Sequence, residues 1–185
     1  MTTNLTFNEA AVQIRNAEES DMPAIQAIYW HHVMHGFGSF EEAAPDVTEM
    51  TRRWCLICDQ GLPFLVGVID GSVLGYAYVG PFRPRSAYRH TIEDSIYISP
   101  DAQRRGIGRL LLEELITRCT DMGFRQMVAV IGDSGNMASI KLHLAMGFRY
   151  AGSLLSVGFK FGSWVDSVMM QRALGEGDAN LPPPK

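Results

Sequence analysis

The segment that most constrains this chain is Ile96-Tyr97-Ile98-Ser99-Pro100-Asp101-Ala102-Gln103-Arg104-Arg105-Gly106-Ile107-Gly108, leading into Arg109-Leu110-Leu111-Leu112. An apolar run closes at Ser99-Pro100, and a second run with helical spacing opens at the glycines. The pattern predicts a strand, a short turn and a helix, a unit from which α/β sheets are built. The first turn of a helix carries unpaired N–H groups and a partial positive charge. Glycine lets backbone come close to an anion, and Arg104 and Arg105 add fixed charge. Gln103, Arg104, Arg105, Gly106, Ile107 and Gly108 therefore form a candidate pyrophosphate cradle. A ligand-free basic cap is the competing reading of a lone Gly-x-Gly. The dinucleotide fingerprint Gly-x-Gly-x-x-Gly is not met, because Leu111 stands where its third glycine belongs.

The rest of the chain supplies a sheet for this unit. Val12 to Arg15 reads as a strand. Ser20 or Asp21, followed by Pro23, reads as the cap of a helix carrying Ile25, Ile28, Tyr29, Val33 and Met34 inward. Asp46 to Gln60 reads as a second helix. Phe64 to Ile69 and Val73 to Val79 read as strands joined by an Asp70-Gly71 turn. Thr91 to Ile98 is a strand, Gly106 to Asp121 a helix and Gln126 to Ile131 a strand. Asn136 to Met146 is a helix stopped at Gly147, and strands near Tyr150 to Ser156 and Val165 to Gln171 complete the body. The order β-α-α-β-β-β-α-β-α-β-β predicts one α/β domain over residues 1–174, with a mixed, mostly antiparallel twisted sheet and helices on both faces. Residues 175–185 end in a proline run and are expected to be a disordered tail.

Bulk properties exclude several function classes. A length of 185 residues fits one substantial core. The net charge of −4 argues against nucleic-acid binding. No apolar run approaches the roughly 20 residues of a membrane helix. Three cysteines and no N-terminal export segment predict a cytoplasmic chain.

The loop Gln103 to Gly108 resembles the Gln/Arg-x-x-Gly-x-Gly/Ala acetyl-CoA loop of the GNAT acetyltransferases, and Asn136 to Phe148 is similar to that family's second motif, which ends in Gly-Phe. Gly38-Ser39-Phe40-Glu41, Thr91 to Ile98, Val130-Ile131-Gly132 and Gly158 to Asp166 resemble the phosphinothricin and methionine sulfoximine N-acetyltransferase branch. The resemblance spans about Ile14 to Ala173. It implies a homodimer that transfers acetyl from acetyl-CoA to the α-amino group of a small amino-acid analogue, without a metal. The strand near Val165 to Met170 and the loop Phe159 to Trp164 are candidate interface material.

Such a reaction needs an amine that has lost its proton, a polarised thioester carbonyl and a departing thiolate. Amines of this kind titrate above neutrality, so a base helps. The resemblance marks Glu93 as that base; from the residues alone, a solvent-facing Glu93 or an ion pair with Arg89 or His90 competes evenly. It also places carbonyl polarisation on backbone N–H groups at Tyr97 and Ile98, beside Ile96. Asn136 is expected to cap its helix and contact the cofactor, and Ser139 to reach its pantetheine or phosphate arm. His143 replaces a tyrosine that many members use to protonate the thiolate; a helix-packing histidine is the alternative. For an anionic substrate, Arg83 in Phe82-Arg83-Pro84-Arg85 is the first candidate fork. Phe37, Phe40, Glu41, Ile92 and Asp94 are further candidates for the acceptor wall, although Asp94 points to the opposite face from Glu93.

Other signals read as packing. Cys55-Leu-Ile-Cys58 is expected to pack within its helix rather than act in redox chemistry. His31 and His35 form a polar helix face, and Met127, Met137, Met146, Met169 and Met170 fill core. Two rival functions remain: a protein N-terminal acetyltransferase, and a non-catalytic acyl-CoA sensor that would not need Glu93.

Overall fold

The computed structural model describes residues 12–182. Seven strands form one sheet: β1 (Gln13–Asn16), β2 (Phe64–Ile69), β3 (Ser72–Pro81), β4 (Thr91–Ile98), β5 (Gln126–Gly132), β6 (Arg149–Lys160) and β7 (Ser163–Ala173). Their order is β1-β2-β3-β4-β5-β7-β6, antiparallel except for the β4–β5 pair. Four helices cover it: α1 (Met22–His35), α2 (Val47–Asp59), α3 (Ile107–Asp121) and α4 (Met137–Ala145). Among the described residues no helix is long and apolar enough to cross a membrane.

Strand β2 is buried along its whole length, which explains its unbroken apolar run. Asp70 and Gly71 join it to β3 with φ of 50° and 76°, the left-handed pair a two-residue hairpin needs. Two cores result. On one face α3 buries Ile107, Leu111, Leu112, Leu115 and Cys119 against Leu65, Ala77, Ile92 and Met127. On the other, α1 buries Ile25, Ile28, Tyr29 and Val33 against Val66, Val68 and Tyr76. Gly67 and Gly75 let the start of α3 sink onto the sheet: a Cβ added there would come within 2.7 and 3.2 Å of Ile107 Cγ2. The amino end of α3 is thereby held close to the end of β4.

The sequence expectations need correction at several places. Asp21 does not cap α1 with its side chain. Its carboxylate accepts from Arg15 Nη1 at 2.6 Å, Arg15 Nη2 at 2.8 Å and Glu18 N at 2.8 Å, closing the short turn ahead of the helix. Met34 and Met137 are exposed, as are Cys55 and Cys58, so none of these packs inward. Strands β6 and β7 run on into a hairpin whose turn residues Phe161 and Gly162 have φ of 51° and 75°. Register shifts between Tyr150 and Gly152 and between Leu154 and Gly158 break the alternation that would have revealed it. Beyond β7, Leu174 N donates to Arg125 O at 3.0 Å, and residues 175–180 form turns.

Candidate active site

The site originates in a failure of pairing. Strands β4 and β5 are hydrogen-bonded neighbours over only four registers, from Thr91↔Gln126 to Asp94↔Ala129. Beyond them β4 continues to Ile98 and β5 to Gly132 without pairing to each other. The divergence opens a cleft of about 740 Å³. It is lined from both faces of the sheet: by Gly108, Arg109, Leu142 and His143 from the helices on one side, and by His32, Gly36 and Phe37 from the other. The backbone of Ser95 to Ile98 runs along its edge.

At one end the cleft meets the amino terminus of α3. Arg104 has φ of 62° and Gly106 of 80°, a tight turn that leads directly into the helix, and no side chain caps it. That geometry presents backbone N–H groups and the helix dipole to an anion. Gln103, Arg104, Gly106, Ile107 and Gly108 all line the cleft, while Arg105 is exposed outside the lining. Arg109, in the first turn, is a lining cation the sequence reading passed over.

The other wall is α4. Asn136 Oδ1 accepts from Ser139 N at 3.2 Å, so the expected cap is present, and both residues line the cleft. His143 is 2% exposed and is the buried residue of α4. Its Nε2 lies 3.0 Å from Asp94 Oδ2, and its Nδ1 lies 2.8 Å from the Ser139 carbonyl oxygen. Burial alone would lower its pKa; the hydrogen bond and charge of Asp94 outweigh this and raise it. Asp94 is 5% exposed, and its Oδ1 has no hydrogen-bond partner among the described residues.

Alternation along β4 separates the candidates. Ile92, Ile96 and Ile98 pack with the α3 core, whereas Tyr97 joins the α1 core. Two substrate-side expectations therefore fail. Ile92 is 1% exposed within the α3 core, and Asp94 is committed to His143 on that same face. Glu93 is half-buried and shares its face with Ser95 and Tyr97, both lining the cleft. Burial first, and then the charge of Asp94, raise the Glu93 pKa, with Arg83 opposing them. Arg83 and Pro84 are exposed, and the Arg83 guanidinium stands 5.0 Å from the centroid of the Phe82 ring.

The loop after α1 forms the remaining wall. Phe37 lines the cleft, and Phe40 packs on Gly158, where an added Cβ would come within 2.5 Å of its ring. Tyr29 Oη donates to Glu41 at 2.8 Å, and Arg53 Nη1 donates to the same carboxylate at 2.6 Å. The Lys160 ammonium, 2% exposed, donates to the carbonyls of Gly36 at 2.9 Å and Ser39 at 2.7 Å. His32 Nε2 donates to Ile98 O at 2.9 Å, and burial lowers its pKa. His32 and Lys160 lie far along the chain from what they hold, Arg53 reaches Glu41 across the loop before α2, and none of these contacts was marked by residue type or spacing.

The donors and shape suit a long ligand with a pyrophosphate at one end and an extended arm along β4, and comparison with known proteins agrees. The chain is 56% identical over 172 residues to a phosphinothricin N-acetyltransferase from Alcaligenes faecalis, covering 93% of this chain and 87% of that protein. It is 40% identical over 162 residues to an L-methionine sulfoximine/L-methionine sulfone acetyltransferase from Pseudomonas aeruginosa, covering 87% and 94%. A GNAT superfamily phosphinothricin acetyltransferase from Sinorhizobium meliloti, solved in complex with AcCoA, superposes with a TM-score of 0.90 at 46% identity over 93% of each chain. The Acetyltransferase (GNAT) family profile matches residues 22–148, a span that contains the cradle, Glu93 and all of α4, and the chain belongs to that family.

Proposed function

We propose that this enzyme transfers the acetyl group of acetyl-CoA to the α-amino group of a small, anionic amino-acid analogue, of the class represented by phosphinothricin and methionine sulfoximine. The observation that carries the reading is the opening between β4 and β5, with an anion cradle at one end and Glu93 on the face opposite α3. Acetyl-CoA supplies an activated acyl group as a thioester. Gln103, Arg104, Gly106, Ile107, Gly108 and Arg109 hold its pyrophosphate, and Asn136 and Ser139 bound its arm. The β5-facing backbone of Ser95 to Ile98 pairs with that arm, and N–H groups at Tyr97 and Ile98 polarise the carbonyl. Glu93 accepts the ammonium proton, directly or through one water. The amine nitrogen then bonds to the carbonyl carbon, the carbon–sulfur bond breaks with its electron pair on sulfur, and the second proton of the nitrogen is lost to water, leaving the neutral amide and a thiolate that water protonates to the free thiol. Arg83 faces the acceptor's anion, with Phe37, Phe40 and Phe82 around it.

A second copy of this chain is the partner for the β6–β7 hairpin. Leu154, Leu155, Val157, Phe159 and Trp164 leave more than half of their surface open there. The free thiols of Cys55, Cys58 and Cys119 suit a cytoplasmic setting. A monomer by light scattering at micromolar concentration would refute the dimer.

The function itself is tested by thiol release from acetyl-CoA against phosphinothricin, methionine sulfoximine, the common amino acids and short peptides. Turnover confined to the glutamate analogues is expected. Turnover on peptides alone would favour the protein N-terminal reading, and binding without turnover the sensor; either would overturn the proposal.

A further inference from the structure

Helix α4 forms one wall of the cleft, and its buried anchor is an imidazole. His143 meets β4 through Asp94 at 3.0 Å, linking residues 49 positions apart on opposite walls. Its other nitrogen faces a carbonyl oxygen at 2.8 Å, and its ring lies edge-on to Phe148 at 4.9 Å. A carbonyl oxygen only accepts, and an ionised carboxylate only accepts. Both ring nitrogens therefore carry hydrogens that are already donated within the protein. An imidazole in that state has no N–H left to offer a departing sulfur.

We propose that Asp94 and His143 are positioning residues, a buried ion pair that sets the separation of α4 from β4 and so the width of the cleft that receives the acyl donor, and that His143 is not the proton donor to the thiolate. This rests on the acetyl-CoA reading above and deepens it. The neighbours of the pair add no competing positive charge. From β4 comes Asp94 itself. From α3 comes Cys119, wholly buried, its thiol pushed up to about 12 by burial first and by the charge of Asp94 second. From β5 comes Ala129, which carries no charge. Asp94 Oδ1, buried at the edge of the cleft without a partner, leaves one acceptor available to an N–H group of a bound arm.

The test has a spectroscopic arm that needs neither turnover nor a variant. In ¹⁵N-histidine-labelled enzyme, both His143 ring nitrogens are expected to carry protons at pH 7. A neutral tautomer at pH 7 would overturn the proposal. The kinetic arm uses Asp94→Asn and His143→Gln, each checked for a cooperative melt. Calorimetric affinity for acetyl-CoA, measured without acceptor, is expected to fall tenfold or more. Saturating kcat should stay within about threefold, with its alkaline limb unmoved. A kcat loss above tenfold at unchanged affinity would instead make His143 a proton donor and overturn the assignment. If the unmodified enzyme failed to bind acetyl-CoA, the parent reading would fall, and the nitrogen spectra would still decide whether the pair is ionic.

Discussion

Replacing Glu93 by glutamine removes a proton acceptor without changing shape, which makes it the sharpest probe of the mechanism. The carboxylate is half-buried on the acceptor face of β4. Burial and the Asp94 charge raise its pKa above that of an exposed glutamate. In the native enzyme the base form is therefore lost, as pH falls, at a higher pH than the ordinary value near 4.3. The acid limb of kcat/KM should lie correspondingly above it. A positioned general base contributes about 10²–10⁴-fold, or about 2.7–5.4 kcal/mol of barrier. Glu93→Gln should lose a factor in that range near pH 7. The variant should recover about tenfold per pH unit as the free-amine fraction rises, so the deficit shrinks toward the amine's own pKa. Thiol release measured from pH 5.5 to 9.5 at saturating acetyl-CoA gives both profiles. A variant within threefold of the native enzyme at every pH, with the acid limb unmoved, would refute the base assignment.

Two further perturbations test the frame around the site. A Cβ at Gly132 would overlap the Phe37 carbonyl oxygen and reach 3.0 Å from the Phe40 ring. Gly132→Ala should cost about 1–3 kcal/mol and lower Tm by about 2–12 °C, with acceptor KM rising more than acetyl-CoA KM; unchanged values of all three would contradict the packing. Asp21, its pKa lowered chiefly by the Arg15 hydrogen bonds, contributes stability that is present above the unfolded carboxylate value and lost as pH falls through the folded one. Asp21→Asn should lose about 1.5–3 kcal/mol in urea unfolding at pH 7, and the gap to the native protein should close only below about pH 4; a pH-independent gap would show that the charge is irrelevant.

Much of this architecture was legible in local pattern. Strand β2 begins and ends where its apolar run does, β4 ends where Ser99-Pro100 closes the run Ile96 to Ile98, and the Asp70-Gly71 turn has the backbone its residues demand. The glycines around Arg104 marked the mouth of the cleft because positive φ and close approach are local requirements. What escaped the reading was settled by contacts distant in sequence. Asp94 looked like acceptor wall until His143 was seen across the sheet, and Ile92 until the α3 core covered it. Gly158 opened a segment resembling the acetyltransferase branch, but that it admits the Phe40 ring to the hairpin shows only in the fold. Lys160 fell inside the Gly158 to Asp166 segment, but its two backbone carbonyl partners, 121 and 124 residues away, leave no trace in a sequence.

The four-register limit of the β4–β5 ladder has a thermodynamic consequence. A sheet interrupted at its centre is joined there by few hydrogen bonds, so its two halves are coupled less tightly than the strands within each half. On the proposed mode of binding, a donor arm laid along Ser95 to Ile98 would act as a substitute strand and supply the missing rungs. Donor binding would then also be the last step of sheet assembly, and acetyl-CoA at about 100 times its dissociation constant would add about 2.7 kcal/mol to the folded state. Amide exchange along the ends of β4 and β5 that do not pair with each other should slow on saturation more than anywhere else, so that the enzyme's rigidity rises and falls with the supply of its own co-substrate.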